Sequence, residues 1–129
     1  MLFKKTEMKI RDIDKFWKII ALTAKRNRLD EDFGDVYAPR IVCKDGFSVS
    51  VQAGMVMHSQ PRENGLESYE EYELGWPSKR DKLLDKYADG WYEDGPEDWT
   101  RMTYAYVPKK VVNKLIRKHG GIVDVREKF

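Results

Sequence analysis

Nine side chains in this sequence are of types that grip a small phosphorylated molecule: Ser48, Ser50, Gln52, Arg62, Asn64, Trp76, Arg101, Tyr104 and Tyr106. Arginine presents phosphate with a planar, two-pronged set of donors. Aromatic rings offer a face to a nucleobase, worth about 1–3 kcal/mol per stacked base. Serine hydroxyls and the amides of Gln and Asn match the polar edges of a sugar or a base. Together these groups can bind a nucleotide, and none of them is arranged to cut one.

The chemistry that the chain lacks narrows the reading further. His58, His119 and Cys43 are the only histidines and cysteine, and no two of them stand at ligand spacing, so no metal site and no cofactor are expected. No glycine-rich phosphate loop, dinucleotide fingerprint or serine-nucleophile motif is present, and no catalytic residue is expected. Glu70, Glu71 and Glu73 surround Tyr72 and can in principle share a proton as an acid–base pair. The plainer reading is a charged face that protects an edge strand from pairing.

The elements that must position these groups follow from periodicity. Arg40 to Cys43 and Phe47 to Ala53 form a hairpin whose Asp45-Gly46 turn has the required positive-φ chemistry. In its second strand Phe47, Val49, Val51 and Ala53 alternate with Ser48, Ser50 and Gln52, which predicts one buried face and one face of small polar groups. That polar face is either the floor of a ligand site or the solvated side of an ordinary edge hairpin. Val56 to Ser59 can prolong the strand past Gly54, and a loop bearing Arg62 and Asn64 follows. Tyr69 to Leu74 reads as another strand, and Ser78, with Asp81 three residues on, as the cap of a short helix. Arg101 to Val107 alternates Tyr104 and Tyr106 against Thr103 and Ala105.

A helix opens the fold, capped by Asp12 or Asp14. Its apolar rows, Phe16, Ile20, Thr23 and Ile13, Trp17, Ala21, are wide enough to face a sheet and a second subunit at once. Lys25, Arg26 and Arg28 complement its C-terminal dipole. A second helix follows Pro108, buries Val111, Val112, Leu115 and Ile116, and ends at Gly120-Gly121. Ile122 to Val125 can add an edge strand. The fold class is therefore α+β: an antiparallel sheet of about four or five strands flanked by an N-terminal and a C-terminal helix, as one domain over residues 1–129.

Bulk properties agree with a folded chain. Mean hydropathy is −0.70, but 41% hydrophobic and 12% aromatic residues exclude a disordered polyelectrolyte. One cysteine cannot form an internal disulfide, which fits a reducing compartment, and Cys43 reads as a small core residue. No apolar run suits a signal peptide or membrane span, so a cytoplasmic protein without a membrane partner is expected. The net charge of +2 conceals blocks: residues 1–28 hold nine basic and three acidic side chains, and Lys109 to Lys118 holds five basic and none. Acidic stretches run from Glu63 to Glu73 and from Asp89 to Asp98. Opposed blocks point to self-association or an internal ion-pair network rather than to a nucleic-acid partner, which would show one dominant basic face. Acidic loops are also what a protein-directed inhibitor, such as a nuclease blocker, would present.

The segments YAPRIVCKDGFSVSVQAG, SQPRENG, YELGWPS and YAYVPKKVVNKLIRKHGGIV, spread over roughly residues 12–123, resemble the first-described family of Thoeris anti-defence sponges of bacteriophages. The chain departs from that family's pattern in having Met55 and Trp76. The resemblance implies a protein that binds a cyclic ADP-ribose isomer, and in some members cyclic di- or trinucleotides, in the host cytoplasm without degrading it. It also implies a homo-oligomer, dimer or hexamer, with ligand pockets at subunit boundaries.

Overall fold

A computed structural model describes residues 9–27, 37–90 and 95–126, with the backbone alone for residues 23–27. Thr23 and the cationic run Lys25, Arg26, Arg28 therefore fall outside the described side chains, as does the middle of the acidic loop at residues 91–94.

The first helix, α1, spans Ile13–Asn27. Asp12 caps it: its carboxylate accepts the N–H of Asp14 at 2.8 Å, and its carbonyl accepts that of Phe16 at 3.4 Å. Ile13, Phe16, Trp17, Ile20 and Ala21 recur at three- and four-residue spacing and are all buried. The Trp17 ring meets Tyr69 and Tyr72 edge-on, both at 5.8 Å between centroids. The breadth of this apolar face is thus used within the chain. Phe16 and Trp17 are already buried within the single chain, in one core cluster with Tyr69 and Tyr72.

Five antiparallel strands follow: β1 (Arg40–Cys43), β2 (Ser48–Gln52), β3 (Glu71–Gly75), β4 (Thr103–Pro108) and β5 (Ile122–Arg126). Their order across the sheet is β4-β3-β2-β1-β5. The second helix, α2 (Lys109–Lys118), packs on β3, β4 and α1. This is the α+β architecture expected, with five strands and a helix towards each end of the chain.

The β1–β2 hairpin turns at Asp45-Gly46. Gly46 adopts φ +94°, and the Asp45 carboxylate accepts the N–H of Phe47 at 2.9 Å. Cys43 packs into the core beside this turn. Burial, reinforced by the charge of Asp45, pushes its thiol up to about 12, as befits an inert core residue. Tertiary pairing then departs from the sequence pattern in four places. β2 is the central strand rather than an edge, and Ser48, Ser50 and Gln52 are buried rather than solvated. β3 lies between β2 and β4, so its glutamates do not guard an edge. Val56 to Ser59 turns instead of continuing the strand, and pairing resumes only at the Gln60–Glu71 bridge. In β4 a bulge separates the tyrosines: Tyr104 opposes Leu74, but Val107 rather than Tyr106 opposes Tyr72. Tyr106 takes φ +53° and leaves the core face that Tyr104 and Val107 occupy.

The last piece is a 3-10 helix, Lys82–Tyr87, whose cap is Asp81, accepting the N–H of Leu83 at 3.0 Å. Ser78 instead accepts the N–H of Ser48 at 2.9 Å and so holds the start of β2. Asp81 also accepts from Lys118 at 3.0 Å and faces Nε2 of His119 at 2.8 Å. His119 is buried, its Nδ1 lies 2.6 Å from Asp45, and its ring stacks on Phe47 at 4.0 Å. Burial pushes the Asp81 carboxyl up, but the donors of Leu83, His119 and Lys118 outweigh it and hold the group below its ordinary range. Its stabilisation is therefore present above the ordinary carboxylate value and lost as pH falls through the lowered folded value. Asp81→Asn is expected to cost about 2 kcal/mol at neutral pH. It should also flatten the loss of stability below about pH 4. Urea unfolding across that pH range checks both; an unchanged acid limb in the variant would show that Asp81 does not carry it.

Candidate functional site

The helices cover one face of the sheet. The other face carries the short polar groups of β2, and loops rather than helices cover it. Gln52 clasps the backbone of Ala38 with both ends of its amide: Oε1 accepts the Ala38 N–H and Nε2 donates to the Ala38 carbonyl, each at 2.8 Å. The same nitrogen donates to Ser50 Oγ at 3.0 Å. Ser48 Oγ accepts from Arg40 Nε at 2.9 Å. Every one of these buried polar groups is satisfied, so the face is a built structure and not a stray polar patch.

Beside this floor lies a hollow of about 260 Å³, lined by Tyr37, Ser50, Gln52, Met57, Glu73, Trp76 and Thr103 among others. Three of the nine expected residues, Ser50, Gln52 and Trp76, meet there. Trp76 is 50% exposed and holds φ +53°, a conformation that a bulky residue adopts only when its surroundings impose it. Two backbone contacts impose it here: its N–H donates to the Met102 carbonyl at 3.0 Å, and its own carbonyl accepts from Arg40 Nη2. The indole is therefore half exposed and lines the same hollow as Ser50 and Gln52. Four of the five large exposed hydrophobics among the described residues belong to this neighbourhood. Tyr37 and Trp76 line the hollow, while Met55 and Val56 precede Met57 in its wall.

The other expected residues stand around or away from it. Ser48 lies one alternation along the same face, engaged by Arg40. Arg62 and Asn64 brace the adjoining turn: Arg62 Nε donates to the Met55 carbonyl at 3.2 Å, and Asn64 Oδ1 accepts the Met55 N–H at 2.8 Å. That oxygen would sit 2.7 Å from a Cβ at position 54, which is why glycine occupies it, at φ +151°. Arg101 is 77% exposed and pairs with Asp98 at 3.7 Å; it does not line the hollow. Tyr104 is buried, with its hydroxyl donating to the Trp99 carbonyl at 2.5 Å, and burial followed by the charge of Asp85 pushes it up to about 12. It belongs to the core and does not line the hollow. Tyr106 stands beside His58, ring centroids 5.5 Å apart, and its N–H donates to the His58 carbonyl.

Two participants were not among the expected nine. Arg40 touches both Ser48 and Trp76, and lies directly across from Arg126 of β5. Burial, then the like charge of Arg126, lowers the Arg40 guanidinium from its ordinary value. The alternation Arg40, Ile41, Val42, Cys43 already put it on the face of Ser48 and Ser50, so the signal was present. His58 was read alone in the sequence, yet its Nδ1 comes within 3.3 Å of Glu73 and 3.5 Å of Asp89. Nothing in the spacing of 58, 73 and 89 announces that meeting. Among the described residues no group of three or more His, Cys, Asp or Glu side chains is arranged to hold a metal ion, and no helix is long and apolar enough to cross a membrane.

Comparison with known protein families, with curated proteins and with solved structures shows no match for this chain.

The Gln52 clasp carries a direct expectation. Gln52→Ala removes both partners of the buried Ala38 backbone groups and is expected to lower stability by about 2–3 kcal/mol, read as a shift of the urea midpoint at unchanged slope. A shift within about 0.5 kcal/mol would mean that Ala38 finds other partners and that the floor is not held by this amide.

Proposed function

We propose that this protein is an anti-defence sponge: it binds a cyclic ADP-ribose-type immune signal, with cyclic oligonucleotides as possible further ligands, and sequesters it without degrading it. It acts in the host cytoplasm as a homo-oligomer. The identity of the ligand rests on the sequence resemblance. The observation that carries the binding role is the exposed Trp76, held in a left-handed backbone conformation and lining one hollow with Ser50 and Gln52. An aromatic face beside hydroxyl and amide groups suits a purine and its sugar. Arg40 and Arg126, opposed across β1 and β5, supply two cations on the same sheet whose mutual repulsion a bound diphosphate would relieve.

The size of the hollow favours a site shared between copies. At about 260 Å³ it lies just below the roughly 300–1,000 Å³ of small-molecule pockets. Exposed Tyr37 and Trp76 stand in its wall, and exposed Met55 and Val56 directly precede its Met57, so a second copy seated there would bury apolar surface and close the pocket. Arg62, in a loop, and Arg101, at the end of a short 3-10 turn, are exposed and available to a ligand or a neighbouring copy from outside the hollow.

Calorimetry with cyclic ADP-ribose isomers, followed by heat denaturation and analysis of the released ligand, tests the proposal. Tight binding and recovery of intact ligand are expected. Trp76→Ala should weaken binding about tenfold to a hundredfold, in proportion to the stacking removed. Altered ligand on release would identify an enzyme instead, and undiminished affinity in the Trp76 variant would place the ligand elsewhere.

A further inference from the structure

A second concavity lies away from the sheet face, between the 3-10 helix Lys82–Tyr87 and α2. It measures about 570 Å³ and is lined by Lys82, Lys86, Lys110 and Lys114, with Leu83, Tyr87 and Val111 as its apolar part. In α2, Lys110 and Lys114 are four residues apart, which places them on one side; Lys82 and Lys86 of the 3-10 helix both line the groove as well. Asp85 is the sole acid in the lining, and Arg80 already neutralises it through a 2.7 Å contact. Neighbouring lysines find partners: Lys118 pairs with Asp81 and Lys109 with Asp14. Among the described residues the four groove lysines pair with no carboxylate. Lys110 also sits in the first turn of α2, where no acid is present and a cation opposes the helix dipole. The fold thus concentrates uncompensated positive charge on two facing walls, at a place where a single helix would favour an anion.

We propose that this groove is a binding site for a small oligophosphate bearing a planar base, of the class of nucleoside di- and triphosphates. Four ammonium groups on two walls match a chain of phosphates, which lysine contacts as a point charge. Tyr87, already beneath Lys86 at 5.3 Å from its ring centroid, offers with Leu83 and Val111 an apolar surface for the base. The volume lies inside the range of small-molecule pockets. The site shares no residue with the hollow at Trp76, so the two stand or fall separately.

Titration calorimetry of the full chain with ATP and with inorganic tripolyphosphate tests this. Both probes are expected to bind, ATP more tightly. Lys82→Glu with Lys114→Glu should weaken both by about tenfold or more, as should raising salt from ~0.05 M to ~0.5 M. The milder pair Lys82→Gln with Lys114→Gln should act in the same direction, guarding against a folding defect in the charge reversal. Lys18→Glu, on the exposed side of α1, and Trp76→Ala should leave both affinities unchanged. Absence of binding to either probe, equal loss in the Lys18 control, or ATP binding no tighter than tripolyphosphate would overturn the assignment. Displacement of ATP by a single-stranded oligonucleotide that binds more tightly would overturn it in favour of a nucleic-acid site.

Discussion

The contact on which most of the structure depends is the imidazole of His119, held between two carboxylates. Asp45 belongs to the β1–β2 turn, Asp81 caps the 3-10 helix, and His119 ends α2. One side chain therefore ties three segments that are distant in sequence, with Phe47 stacked against its face. Backbone bonds reinforce the knot: Asp45 donates to the His119 carbonyl at 3.2 Å and Lys44 to that of Gly121 at 3.0 Å. Buried charged groups are tolerated only when their partners are in place. Here each partner's position is determined by the other two, so the local hydrogen bonding and the tertiary arrangement require one another.

Two consequences follow for the surfaces that bind. The knot ties the cap of the 3-10 helix to the C-terminal end of α2, and residues of those two segments line the lysine groove. It also anchors the base of the hairpin, whose other end lines the hollow with Trp76. The helices share one core with the inward face of the sheet, leaving the polar face of β2 to be closed by loops. Loops close it through specific polar contacts, Gln52 to Ala38, Arg40 to Ser48 and Trp76, Ser59 to Gly54. Such contacts leave a hollow where their geometry does not meet, whereas apolar side chains would have packed it shut.

How far the site was legible depends on the range of the interaction that builds it. The alternation in Phe47 to Ala53 located the polar floor, because strand periodicity is local. Trp76 was found by residue type, as an aromatic face suited to a nucleobase. Arg40 was within reach of the same alternation. The separation of Tyr104 from Tyr106 was not: a bulge inserts one residue, and only the pairing with β3 reveals it. Nor was the fate of Phe16 and Trp17. A wide apolar helix face looks the same in sequence whether a second subunit or the Tyr69–Tyr72 segment covers it.

By itself, then, the sequence determined the elements: a capped and amphipathic α1, the Asp-Gly hairpin, α2 between Pro108 and Gly120-Gly121, and the antiparallel α+β class. Each rests on interactions within a few residues, so each is written in local spacing. Tertiary structure alone decided that β2 lies at the centre of the sheet, that its polar groups are buried and satisfied, and that four lysines from two segments share one groove. Those outcomes depend on which surfaces meet across tens of residues, and burial and charge are properties of the meeting rather than of either segment alone.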